Sequence, residues 1–129
     1  MPQMEFKLGR SYTRREINRV LGGNLQHYLP YLGGRILCGC FVPKLNPDAP
    51  LVVLPGRGPS IEGTAEIFAK QTEPVPVFLK QQTNAWKYVG RFTVQRRVMD
   101  KRVIRSQERR TGRKLSQVLR LRASKQALR

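Results

Sequence analysis

Histidine, cysteine and acid are scarce in this chain of 129 residues, which holds one histidine, two cysteines and eight Asp plus Glu. Each shortage closes a class of function. A structural zinc site needs four good ligands, and Cys38, Cys40 and His27 cannot supply them without a second Cys or His pair. Two cysteines at i, i+2 make no disulfide framework. Their place in the apolar run Ile36–Val42, rather than at an exposed helix start, argues against a redox pair and for buried, inert thiols. One histidine, scattered carboxylates and no nucleophile elbow leave no catalytic triad, so the chain is expected not to be an enzyme and to need no cofactor. A hydrolase or nuclease fragment would need a carboxylate or metal cluster that the sequence does not offer. Long apolar runs are also missing: no stretch reaches the 18 or so residues of a transmembrane helix. MPQMEFKLGR lacks the apolar segment and cleavage site of a signal peptide, so the expected setting is intracellular, in cytoplasm, nucleoid or nucleus.

Base is what the chain has in excess. Twenty-five Lys and Arg give a net charge of +17, far beyond what solubility requires. Such a field attracts polyanions, and nucleic acid is the commonest. The expected partner is nucleic acid, DNA favoured over RNA, with no membrane. The charge is uneven: residues 1–95 hold twelve basic and six acidic side chains (net +6), residues 96–129 thirteen and two (net +11). The later segment also lacks Trp, Tyr, Phe and Pro. Two parts are therefore expected, a body over 1–95 and a basic arm over 96–129 that orders on its partner.

Within the body, Thr13-Arg14-Arg15-Glu16 fits a capping box, followed by Ile17, Val20 and Leu21 at helical spacing and a Gly22-Gly23 stop. Residues 24–34 read as irregular, with a turn at Gly33-Gly34. Strands are expected over 36–42, 51–56, 75–80 and 86–95, and a helix over 61–71. In the last strand Trp86, Tyr88, Phe92 and Val94 would share one face and Lys87, Arg91 and Thr93 the other. The arm carries two stripes at helical spacing, Val98, Met99, Val103 and Ile104, then Leu115, Val118 and Leu119, with a break at Thr111-Gly112.

Binding candidates follow from residue chemistry. Arg96, Arg97, Lys101, Arg102, Arg105, Arg109, Arg110, Arg113 and Lys114 can neutralise phosphates without reading sequence, although such a segment can equally be a localisation signal or a solvated tail. Gly56-Arg57-Gly58-Pro59-Ser60 lacks the Gly-Lys-Ser/Thr ending of a P-loop, yet as a glycine turn before a helix it can offer backbone N–H groups and Arg57 to a phosphate. His27, Tyr28 and Tyr31 are polar-tipped rings in an irregular segment, suited to a base pocket. Trp86 is either a stacking platform or core. Asn46 and Asp48 either shape a turn or read a base edge.

The order Tyr12-Thr13-Arg14-Arg15-Glu16-Ile17, LGG, YLP, ILCGCF, LNPDAP, GRGP, PVPVFLK and W-x-YVG resembles a small domain fused to HNH nucleases in modification-dependent restriction enzymes of the McrA type. That domain is similar to PUA/SRA-like readers of modified bases, and the resemblance covers about residues 10–95. It implies an α+β fold: a small, curved or barrel-like, mostly antiparallel sheet with flanking helices. It also implies a DNA-binding module that flips a modified base into a pocket. His27, Tyr28, Tyr31, Asn46, Asp48 and Trp86 are the candidates for that pocket from their chemistry, not from a matched family position. An RNA- or ribosome-associated protein with a PUA-like body is the alternative.

Overall fold

In the computed structural model, which describes residues 6–124, the polypeptide forms an α+β fold of three helices, a mixed sheet of six strands and a two-stranded hairpin. The elements run β1 (Ser11–Tyr12), α1 (Arg14–Leu21), β2 (Tyr31–Leu32), β3 (Arg35–Ile36), β4 (Gly39–Phe41), β5 (Val52–Val53), α2 (Pro59–Lys70), β6 (Val75–Gln82), β7 (Ala85–Val98), α3 (Lys101–Thr111) and β8 (Val118–Ala123). The sheet order is β4-β6-β7-β8-β5, with β1 paired to β7. Only β4 and β6 run parallel; the remaining pairings are antiparallel. Among the described residues the sheet closes into no barrel.

Local chemistry sets the ends of these elements. The Thr13 hydroxyl accepts from the Glu16 amide at 3.1 Å and the Glu16 carboxylate from the Thr13 amide at 2.8 Å, a complete capping box. α1 stops at Gly22, whose φ of 86° suits glycine. α2 starts at Pro59 rather than at Ile61, because proline loses nothing at the first helical position. Gly33 and Gly34, with φ of 60° and 75°, make the two-residue turn between β2 and β3, so part of the segment expected to be irregular is a hairpin.

A bulge decides which side chains of β7 face which layer. β6 and β7 slip register between Val77 and Phe78, where Val89 is the extra residue on β7. Trp86 and Tyr88 therefore face the opposite side from Phe92, which corrects the single shared face expected for them. On the inner face Phe41, Val53, Val75, Val77, Phe92, Leu119 and Leu121 pack against Ala65 and Phe68 of α2. On the outer face one cluster joins Tyr12, Ile17, Cys38, Cys40, Phe78, Trp86 and Tyr88. A second joins Leu54, Leu115 and Val118 to Val98, Val103 and Ile104, and through it α3 covers its end of the sheet.

Residues 96–124 do not stand apart as an arm. β7 continues through the expected boundary to Val98, and β8 lies between β7 and β5. Of the first expected helical stripe, Val103 and Ile104 lie on α3, which ends at Gly112 with φ 71°, while Val98 ends β7 and Met99 precedes the helix. The second is a strand, because Val118, Leu119 and Leu121 bury while Arg120 and Arg122 stay exposed. Edge pairing on both sides of β8 outweighs the local excess of charge.

Candidate nucleic-acid interface

Three of the pocket candidates meet at the first turn of α2. The His27 ring stacks on Tyr28 at 5.2 Å between centroids and meets Tyr31 edge-on at 5.4 Å. The Leu29 amide donates to His27 Nδ1 at 3.1 Å, so the neutral ring carries its proton on Nε2, which lies 3.1 Å from Ser60 Oγ. The Tyr28 hydroxyl donates to the Ile61 carbonyl at 2.7 Å. Burial pushes its pKa up to about 12, against a smaller opposing effect of the Thr64 hydroxyl, so Tyr28 stays protonated across the physiological range. The Tyr31 amide is held by Asn24 Oδ1 at 3.1 Å. All three rings are half-buried and keep an accessible surface.

Burial lowers the His27 pKa and the charge of Arg14 adds to the effect, against the Leu29 hydrogen bond. The folded value lies below the ordinary 6.5, so the unfolded chain takes the proton more readily. The stability that His27 contributes is present above 6.5 and is lost as the pH falls below it. Thermal melts between pH 5 and 7.5 are expected to show a larger acid loss for the native chain than for His27→Gln. Parallel curves would contradict the assignment.

The other three pocket candidates lie elsewhere. Asn46 is buried, with Oδ1 accepting from the Leu54 amide at 2.8 Å and Nδ2 donating to the Val42 carbonyl at 3.2 Å, so it ties together the loop between β4 and β5. Asn46→Ala is expected to cost about 1–3 kcal/mol, because a buried amide loses its acceptor. Chemical denaturation should show this loss with no change in any preference among nucleic acids. Asp48 is clasped by both terminal nitrogens of Arg110, at 2.5 and 3.0 Å, and those bonds hold its carboxyl below the usual carboxylate range. Trp86 is core, 7% exposed, with the Arg14 guanidinium 5.2 Å from its ring centroid. The cysteines are buried and free, and Cys38, hydrogen-bonded to Cys40 and buried, is pushed well above the ordinary thiol range. Among the described residues no group of His, Cys, Asp or Glu could hold a metal ion, and no helix is long and apolar enough to cross a membrane.

The basic candidates divide by partner. Arg105, Arg109, Arg113 and Lys114 line a concavity of about 290 Å3 with Glu108 and Gly112 at the end of α3. Arg57 reaches toward this region, Nε donating to the Leu115 carbonyl at 3.4 Å, and Ser116 donates its amide to Pro55. The loop before α2, which leads directly into the helix turn that carries the His27 partner Ser60, thus abuts the concavity. Arg113 is largely spent on structure: its guanidinium donates to the Leu45 and Leu54 carbonyls at 2.7 and 2.8 Å. Arg110 is spent on Asp48, and Arg97 on the buried Gln117, at 2.8 Å. Lys101, Arg102, Arg105 and Arg109 are exposed on α3, Arg102 beside the capping Asp100 at 3.8 Å.

Reading the sequence missed Arg91, Arg120 and Arg122. With Arg96 and Thr93 they occupy the outer face of β7 and β8, Arg96 directly opposite Arg120 and Thr93 opposite Arg122. The signal that could have found them is the alternation of Leu119 and Leu121 with Arg120 and Arg122.

A family model described as "Domain of unknown function (DUF6697)" matches residues 11–129. The chain belongs to this family. The DUF6697 match runs through β8, in keeping with the integration of residues 96–124 into the sheet. No curated protein matches the chain. Among solved structures, the DUF6697 domain is similar to the SUVH5 SRA domain, crystallised in complex with hemimethylated CG DNA. The TM-score is 0.66 at 17% identity, over 96% of this chain and 92% of that one. The fold is therefore α+β and SRA-like.

Proposed function

We propose that this domain binds DNA and reads a modified base. The observation that carries the reading is the meeting of the His27, Tyr28 and Tyr31 rings at the first turn of α2, on an SRA-like fold and beside the basic edge of Arg57, Arg105, Arg109 and Lys114. Cations gathered at one edge repel one another, so their grouping fits a polyanionic partner better than it fits stability. The solved neighbour was crystallised with DNA, which favours DNA over RNA as that partner.

Within this reading His27, Tyr28 and Tyr31 form the base site. Their half-buried rings offer stacking surfaces, and base–aromatic stacking contributes about 1–3 kcal/mol per base. Extruding the base costs a few kcal/mol, least for a damaged or weakly paired one. Arg57, Arg105, Arg109 and Lys114, at the edge that abuts the base site, hold the phosphates of the same duplex, with Lys101 and Arg102 extending the field along α3. A reader of this kind would serve a nuclease or other effector supplied by a partner or a fused domain, as the resemblance to McrA-type enzymes implies.

The test is a titration with matched RNA, plain DNA and DNA bearing modified cytosine or modified adenine. Preference for one modified duplex is expected. Equal affinity for every DNA would remove the base-reading claim, and a strong RNA preference would favour the ribosome-associated alternative.

A further inference from the structure

The arginines of the outer sheet face lie on the wrong side of the molecule for the base site. Tyr28 and Tyr31 pack against the inner cluster with α2. Arg91, Arg96, Arg120 and Arg122 project from the opposite face of β7 and β8, since their strand neighbours Phe92, Leu119 and Leu121 point inward. The outer face is covered at one end by the Tyr12–Phe78–Trp86 cluster and at the other by α3. Between these covers, among the described residues, lies an open strip floored by the four guanidiniums. All four side chains are exposed, and none has an ion pair or hydrogen bond among the described residues.

We infer that this strip is a second phosphate-binding surface, which holds a nucleic-acid duplex segment separate from the one offered to the base site. The inference rests on the DNA-reading function proposed above. Three features favour a duplex over an acidic protein. The groups are all arginine, whose planar fork matches phosphate oxygens in pairs. They stand on paired strands about 4.8 Å apart and at alternate residues along β8, a fixed array that suits a rigid lattice of charges. The exposed floor itself offers no large apolar side chain between the guanidiniums, only Thr93, whereas protein interfaces centre on apolar anchors. One duplex cannot serve both faces: DNA has a persistence length of about 150 bp, while a domain of this size has a radius of gyration of about 14 Å.

The experiment is a sandwich capture with the full chain at low salt. A short plain duplex is fixed to beads, the protein is added, and a labelled plain duplex follows. The native chain is expected to retain the label. R91Q/R120Q/R122Q is expected to stay on the beads but lose the label at least tenfold, and its salt slope should fall by about 0.9 per lost phosphate contact. Its melting temperature at low salt should equal or exceed that of the native chain, because the Arg96–Arg120 opposition is relieved. A native chain that retains no label overturns the inference, as does a triple variant that still bridges. A triple variant that leaves the beads altogether makes the strip the sole DNA site and overturns the two-segment arrangement. Displacement of the label by polyglutamate as readily as by free duplex overturns the nucleic-acid assignment. The base preference in the earlier titration uses one duplex and does not need the strip, so the two claims fail separately.

Discussion

A chain cut after Gln95 is expected to be unfolded, not a folded body with weaker DNA binding. Truncation removes the last three residues of β7 and all of β8, the strand that links β7 to β5. It takes Leu115, Val118, Leu119 and Leu121 from two core clusters, each at most 4% exposed. Loss of one buried leucine side chain costs about 2–5 kcal/mol. Whole-domain stability is about 5–15 kcal/mol. Removal of three leucines and a valine therefore exceeds what such a fold can lose. Circular dichroism of the truncated chain should show no cooperative thermal transition. A cooperative melt would mean that residues 96–124 are dispensable to the sheet.

Gly39→Ala is expected to be strongly destabilising although it adds a single methyl group. A Cβ at Gly39 would lie 2.5 Å from Phe41 Cζ and 2.9 Å from Cε2, far inside van der Waals contact. Gly39 and Phe41 are alternate residues of β4 on the inner face, and the phenyl ring lies back over the glycine. Phe41 is 1% exposed, so its ring has no open space to enter. Overpacking of this kind costs about 1–3 kcal/mol. The mechanism has its own control. Phe41→Leu alone leaves a cavity, but Gly39→Ala added to it should cost much less than in the native background, giving a coupling of about 1 kcal/mol or more in a double-mutant cycle. Additive losses would show that the contact with the ring is not the cause.

Much of the fold was legible where a local chemical rule had no competitor. The Thr13–Glu16 box, the Gly22 stop, the Gly33-Gly34 turn and the break at Gly112 need only their own residues. The bulge was not legible. One extra residue near Val89 reverses the parity of β7, and only the pairing with β6 reveals it. β8 was hidden for a different reason. Its alternation is present in the sequence, but the charge of the surrounding segment argued for a tail, and burial between two strands overrode that charge.

The candidate base site divides along the same line. His27, Tyr28 and Tyr31 lie within five residues of one another, so chain proximity alone brings them together, and α2 then fixes their polar tips. Asn46 and Asp48 were drawn to the same pocket by chemistry, yet the structure uses one inside its loop and the other on α3. Polar residues in a proline-rich loop serve the loop first.

The measurement that tests base reading most directly compares affinities for a modified and a plain duplex, in the native chain and in Tyr31→Ala. Tyr31 is chosen because its side chain donates no hydrogen bond among the described residues, while His27 and Tyr28 are tied to α2. A preference of about tenfold or more is expected in the native chain, because only the extruded modified base gains a stack of about 1–3 kcal/mol. In Tyr31→Ala the ratio should fall toward one while the salt dependence of binding stays unchanged. A native ratio of one, or a native preference that survives Tyr31→Ala intact, would contradict base reading.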